Sequence, residues 1–110
     1  MKYKITSLVI LTVTLLFSIN LCFAQGYKIK TIVVDAGHGG VKSGAAGKYS
    51  LEKNVALKVA LKLGKKIEEE LPGIKVIQIR KTDVDVDWYR RADIANDAKA
   101  DLFISIDYFQ

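Results

Sequence analysis

The sequence predicts an α/β fold with a parallel sheet, in the order strand, loop, helix, strand, helix, strand. Three observations carry this. A β-branched run at 29–35 leads into a segment, 36–50, that holds five glycines. Apolar residues then recur every four positions through 51–71, until Pro72-Gly73 stops them. A second short strand, a second helical stretch and the apolar run 102–106 follow. Strands that alternate with helices build parallel sheets with right-handed crossovers.

The first 24 residues stand apart. Lys2 and Lys4 precede an uncharged, mostly apolar run at 5–17. Ser18 and Asn20 break it, and Cys22-Phe23-Ala24 places small residues three and one positions before a cut. That order is the order of a secretory signal peptide. The competing reading is a membrane anchor, because 5–24 is just long enough to span a bilayer. Thr6, Ser7, Thr12, Thr14, Ser18 and Asn20 weaken it, and no basic cluster follows. Bulky Leu21 disfavours lipid attachment at Cys22. The expectation is cleavage after Ala24, export, and no stable anchor afterwards.

Removing 1–24 takes away Lys2 and Lys4 and lowers the net charge from +5 to +3. So mild an excess calls for no nucleic-acid partner and suits a polyanionic wall surface. The sole Cys leaves with the leader, so the exported part has no thiol or disulfide chemistry. The single His excludes any site that needs two imidazoles from one copy of the chain.

Within 25–110, residues 29–35 read as a buried strand. The glycines at 37, 39, 40, 44 and 47 permit sharp bends and close approach to a ligand. In the helix at 51–71, Val55, Val59, Leu63, Ile67 and Leu71 form an apolar stripe that Ala56 and Ala60 widen. Its lysines and the Glu68–Glu70 run form the solvated face. Residues 74–79 are the second strand and 82–87 a polar loop. Asp87 is placed to cap a helix at 88–99, with Trp88, Ala92, Ala95 and Ala98 on its apolar side. The third strand, 102–106, is apolar except for Ser105. About 86 residues make a small assembly with a modest buried fraction. The pattern reads as the front half of a larger α/β domain.

Sites in open parallel sheets form at the carboxyl ends of the strands. Asp35 and His38, Arg80, and Asp107 fall there, and Glu52 opens the helix on the same rim. The glycine loop does not fit phosphate binding. Val41 stands where a Walker loop needs its second glycine before Lys42-Ser43, and Lys42 replaces the third glycine of a dinucleotide loop. A metal reading suits His38 and Glu52, since a catalytic zinc site needs three protein ligands and one open position. The plainer reading makes His38 a surface residue and Glu52 a carboxylate that favours the helix dipole.

At these residues the sequence resembles a known family. Ile32-Val-Val-Asp-Ala-Gly-His-Gly-Gly40, Ser43-Gly-Ala, Leu51-Glu-Lys53, Arg80-Lys-Thr-Asp83, Arg90-Arg-Ala-Asp-Ile-Ala-Asn96 and Ala100-Asp-Leu-Phe-Ile-Ser-Ile106 resemble the zinc-dependent N-acetylmuramoyl-L-alanine amidases of bacterial cell-wall turnover. The resemblance spans about 31–106. It implies a three-layer amidase domain, of which 25–110 is an incomplete catalytic part cut off after the third strand. It implies Zn2+ as cofactor and peptidoglycan as partner. The reaction implied is hydrolysis of the amide between N-acetylmuramic acid and the first L-alanine. Of the family's metal ligands, His38 and Glu52 match two. Asp107 stands where the family has a third His, and a carboxylate can also bind zinc. No residue matches the family's general-base glutamate. Asp35 either orients His38 or bonds the loop backbone. Two other outcomes stay open: an inactive amidase fragment, or a non-catalytic peptidoglycan-binding module.

Overall fold

The computed structural model describes residues 1–22 and 26–107. The expected cleavage point after Ala24 lies outside them. Helix α1 (Lys2–Cys22) is followed by strand β1 (Thr31–Ala36), helix α2 (Glu52–Glu70), strand β2 (Lys75–Gln78), helix α3 (Trp88–Asp97) and strand β3 (Leu102–Ile106). The side chains of residues 1–16 of α1 are all exposed. Among the described residues no helix is long and apolar enough to cross a membrane.

The sheet order is β2-β1-β3, and both pairings are parallel. β1 is central and buried on both faces, which is why it reads as an unbroken β-branched run. Alternate side chains of a strand point to opposite faces. Ile32, Val34 and Ala36 therefore pack with Ala56, Ala60 and Ile67 of α2. Val33 packs on the other face with Ile79 and Ala95 of α3. Three layers result, helix on sheet on helix. β1 starts and ends later than the run at 29–35, because its register with β3 carries pairing on to Ala36 opposite Ile106.

Two helix faces differ from expectation. On α2 the buried residues are Glu52, Ala56, Ala60, Gly64 and Ile67, while Val55 and Val59 are 46% and 44% exposed. Small side chains let the helix lie close to the sheet. At Gly64 a Cβ would fall 2.0 Å from Gln78 Nε2. Branched valines do not fit in so narrow a gap and lie on its flank. On α3 the buried residues are Arg91 and Ala95, whereas Trp88 and Ala92 are exposed. A buried ion pair, described below, fixes that rotation. Asp87 is the N-cap residue, but its side chain makes no capping bond.

Candidate metal centre

The glycine-rich loop does two jobs at once. It caps α2 and it presents His38. Leu51 at the N-cap offers no capping side chain. Loop carbonyls take that role, with Glu52 N–H donating to Ala45 O (2.9 Å) and Lys53 N–H to Ser43 O (3.0 Å). These bonds satisfy amides that a helix start leaves unpaired. In return, Ala45 N–H donates to Glu52 Oε2 at 2.7 Å. Glu52 is thus fixed by the loop that caps its helix, and its side chain is 6% exposed.

His38 sits in the left-handed region at φ 58. Side-chain-bearing residues adopt it rarely, and such strain persists only where surroundings hold it. Here Arg91 Nη2 donates to His38 O at 2.9 Å. The ring then turns toward α2, with Nε2 3.3 Å from Glu52 Oε1. Gly44 lies beneath both groups at φ 69. A Cβ there would come 2.4 Å from Glu52 Oε2 and 2.7 Å from His38 Cδ2.

Asp107, just past β3, completes the group. Ser105 Oγ donates to its Oδ2 at 2.6 Å. One ligand atom from each of His38, Glu52 and Asp107 lies within 4.8 Å of the others. Two observations fit a metal ion held by His38 and Glu52, with Asp107 beside them. Donors about 2.0 Å from an ion at tetrahedral angles lie ~3.3 Å apart, which is the His38–Glu52 separation. The cradle is also one that any side chain at position 44 would fill. Three donors leave a fourth position open, as a catalytic site needs. The adjoining cleft is about 100 Å³, and Asp35, Lys42, Trp88 and Arg91 are among its lining residues.

The remaining polar groups on the rim hold the frame. The sequence leaves Asp35 either orienting His38 or bonding the loop backbone; its carboxylate instead takes Arg91 Nη1, with Ser105 Oγ 3.4 Å away. Arg91 also donates to Ala36 O and, through Nε, to Val86 O. Asp35 therefore acts on His38 only through Arg91 and the backbone. Arg80 is 3% exposed and donates to Ala36 O, Gly37 O, Lys53 O and Thr82 O. Burial, then the neighbouring Arg91, holds its pKa below the usual guanidinium range. It clamps backbone and is no ligand. Lys53 Nζ joins Gly40 O (2.8 Å) to Asp83 Oδ2 (2.6 Å), and Gly40 N–H returns to Asp83 Oδ1 (2.8 Å).

Sequence reasoning assigned no role to Arg91, Lys53, Asp83 or Ser105. The one available signal was their presence in the blocks that carry the family resemblance, Leu51-Glu-Lys53, Arg80-Lys-Thr-Asp83, Arg90-Arg and Ser105-Ile106. His38, Glu52 and Asp107 do come together, from three separate segments.

A family profile described as N-acetylmuramoyl-L-alanine amidase matches residues 32–108. The chain is 43% identical over 76 residues to N-acetylmuramoyl-L-alanine amidase AmiC of Escherichia coli O6:H1, covering 68% of this chain and 18% of that protein. It is 43% identical over 77 residues to the endolysin of Bacillus phage SPP1, covering 70% and 28%. Among solved structures, the catalytic domain of the amidase CwlV from Bacillus (Paenibacillus) polymyxa var. colistinus superposes with a TM-score of 0.68 at 35% identity. That match covers 74% of this chain and 46% of CwlV. An N-acetylmuramoyl-L-alanine amidase of Clostridium difficile 630 gives 0.69 at 33%, covering 76% and 45%. The chain thus spans under a third of these two curated relatives and less than half of the two solved domains.

Proposed function

The chain belongs to the N-acetylmuramoyl-L-alanine amidase family, and from that premise we propose that it is the metal-bearing part of an exported zinc amidase acting on peptidoglycan. The bond attacked is the amide between N-acetylmuramic acid and the first L-alanine of the stem peptide. The observation that carries this reading is the convergence of His38, Glu52 and Asp107 beside an open cleft.

Zinc would be held by His38 Nε2, a Glu52 oxygen and an Asp107 oxygen. The chemistry such an ion supplies is polarisation of the scissile carbonyl and a lowered pKa for a water in the open position. The chain's own residues do the rest. Ala45 N–H and Ser105 Oγ orient the two carboxylates, as partners of metal ligands commonly do. Arg91 holds the His38 backbone in the geometry that aims the ring.

Lys2 and Lys4 in the first turn of the apolar helix α1, whose described side chains are exposed, support a leader at 1–24 and export to the periplasm or cell-wall space. Residues 25–110 are then the catalytic-domain part. N-terminal sequencing of secreted protein should read from Gln25; Met1 intact on membrane-bound protein would refute the leader.

One observation favours a second reading, binding without cleavage. Among the described residues, the carboxylates that line the cleft are Asp35, engaged by Arg91, and Asp107, assigned to the metal. Neither is free to shuttle a proton, the work a general base must do. Purified chain mixed with peptidoglycan separates the two. Zinc-dependent release of stem peptides, lost on His38→Ala, supports the amidase. Co-sedimentation without release supports the binding module.

A further inference from the structure

We infer that Trp88 is a sugar-binding platform beside the metal centre, which stacks against a pyranose ring of the glycan strand. The inference rests on the peptidoglycan reading above and names the residue that receives the glycan.

Trp88 opens α3, one turn before Arg91. Residues three apart on a helix share a face, so the indole stands over the same rim that Arg91 braces. It is 80% exposed, although the periodicity of α3 places it on the apolar side. It lines the cleft that holds His38 and Asp107. It also lines a second groove of about 520 Å³, which runs on between α3 and β3. The two share Asp35, Arg91, Ser105 and Asp107, so the groove is continuous with the metal centre.

The groove has the two kinds of surface a sugar needs. The indole face carries negative π density, which attracts the slightly positive C–H bonds on one face of a pyranose. Ala92, Ala95 and Phe103 extend that apolar wall. Asn96 adds an amide that can both donate to and accept from hydroxyl or acetamide groups. The scissile amide joins a sugar's lactyl group to a peptide, so the two arms of the substrate diverge from the metal. An exposed indole within reach of that point suits the sugar arm, whose ring offers a flat apolar face. An extended peptide has no such face and is matched by backbone hydrogen bonds instead.

Trp88 is the only tryptophan in the chain, so its emission reports this site alone. The full chain, held in mild detergent, is titrated with the peptide-free disaccharide of N-acetylglucosamine and N-acetylmuramic acid, and separately with the free stem tripeptide. Co-sedimentation with peptidoglycan is followed in parallel for wild type, Trp88→Phe and Trp88→Ala. The expected result is a saturable change in emission with the disaccharide and none with the tripeptide. Trp88→Ala should weaken sedimentation about three- to tenfold, and Trp88→Phe, which keeps an aromatic face, by about twofold at most. Because the side chain is exposed, neither change disturbs the core. A response to the tripeptide alone overturns the sugar assignment in favour of the peptide arm. Unchanged emission with both ligands while sedimentation persists overturns the platform and leaves the function standing. Loss of both signals in wild type overturns the function as well.

Discussion

The carboxylate of Asp107 lies directly over the α-carbon of Gly37. A methyl group at that glycine would fall 1.9 Å from Asp107 Oδ1 and 2.9 Å from its Cγ. Gly37 N–H meanwhile donates to Ile106 O at 3.0 Å, tying the start of the glycine loop to the end of β3. The bare α-carbon is what lets the residue just past β3 reach His38 and Glu52.

Gly37→Ala should therefore act on the metal before it acts on the fold. Its φ is not in the left-handed region, and the atoms it strikes hardest belong to the Asp107 carboxylate, with Ile106 O at 3.1 Å having to give by a few tenths of an ångström. The Asp107 carboxylate should swing away and zinc affinity should fall about 10–100-fold, the range seen when groups that position ligands are lost. Thermal stability should stay within about 2 °C of wild type. Zinc titration by calorimetry beside a melting curve checks both. A large loss of stability with zinc binding intact would contradict the geometry.

Asp107 itself predicts a graded series. Imidazole is a better zinc ligand than a single carboxylate oxygen and reaches further. Asp107→His should tighten zinc binding, and Asp107→Ala should weaken it at least tenfold. Competition with a chromogenic chelator measures both. Equal affinity for all three proteins would remove Asp107 from the site.

The Arg91–Asp35 pair predicts a stability effect. Both side chains are under a tenth exposed. Removing one partner leaves the other charge buried and unpaired, which costs about 3–5 kcal/mol. Arg91→Met should lose stability of that order in urea unfolding. It should also weaken zinc binding, because His38 O loses its donor. The double change Arg91→Met, Asp35→Leu should recover much of the stability and none of the zinc affinity.

Acid should loosen the fold at two aspartates, exposed Asp83 and half-buried Asp101. Asp101 accepts bonds from Tyr27 Oη and from the Lys30 and Thr31 amides, and Asp83 from Lys53 and the Gly40 amide. These bonds favour the charged form, so both carboxyls titrate below the usual 3.8. A carboxyl whose pKa is lower folded than unfolded stabilises the fold above its unfolded value. That stability is lost as pH falls through the folded value. Stability should thus drop on going from about pH 5 to about pH 2. Asp101→Asn and Asp83→Asn should be less stable at pH 7 and show a shallower acid limb. An acid limb that stays as steep in both variants would contradict this.

The first strand was legible because β1 is buried on both faces, so consecutive Ile32, Val33 and Val34 are all apolar. The convergence of His38, Glu52 and Asp107 was legible, because strand ends and the first helical turn share one rim. The helix faces were not. Hydrophobic periodicity selects bulky residues such as Val55, Val59 and Trp88, whereas close packing of a helix on a sheet selects small ones, Ala56, Ala60 and Gly64. Arg91 was missed for a related reason. A charged residue reads as solvated until its buried partner, Asp35, is known from the fold. Lys53 and Asp83 likewise gain their role from a contact thirty residues apart in sequence.

The measurement that bears most directly on the central claim is zinc binding by the intact chain, with His38→Ala as control. Calorimetry should show one zinc per chain, lost on His38→Ala, and zinc should raise the melting temperature of the wild type alone. Zinc binding that is absent in the wild type, or unchanged by His38→Ala, would contradict the assignment of His38, Glu52 and Asp107 as a metal centre.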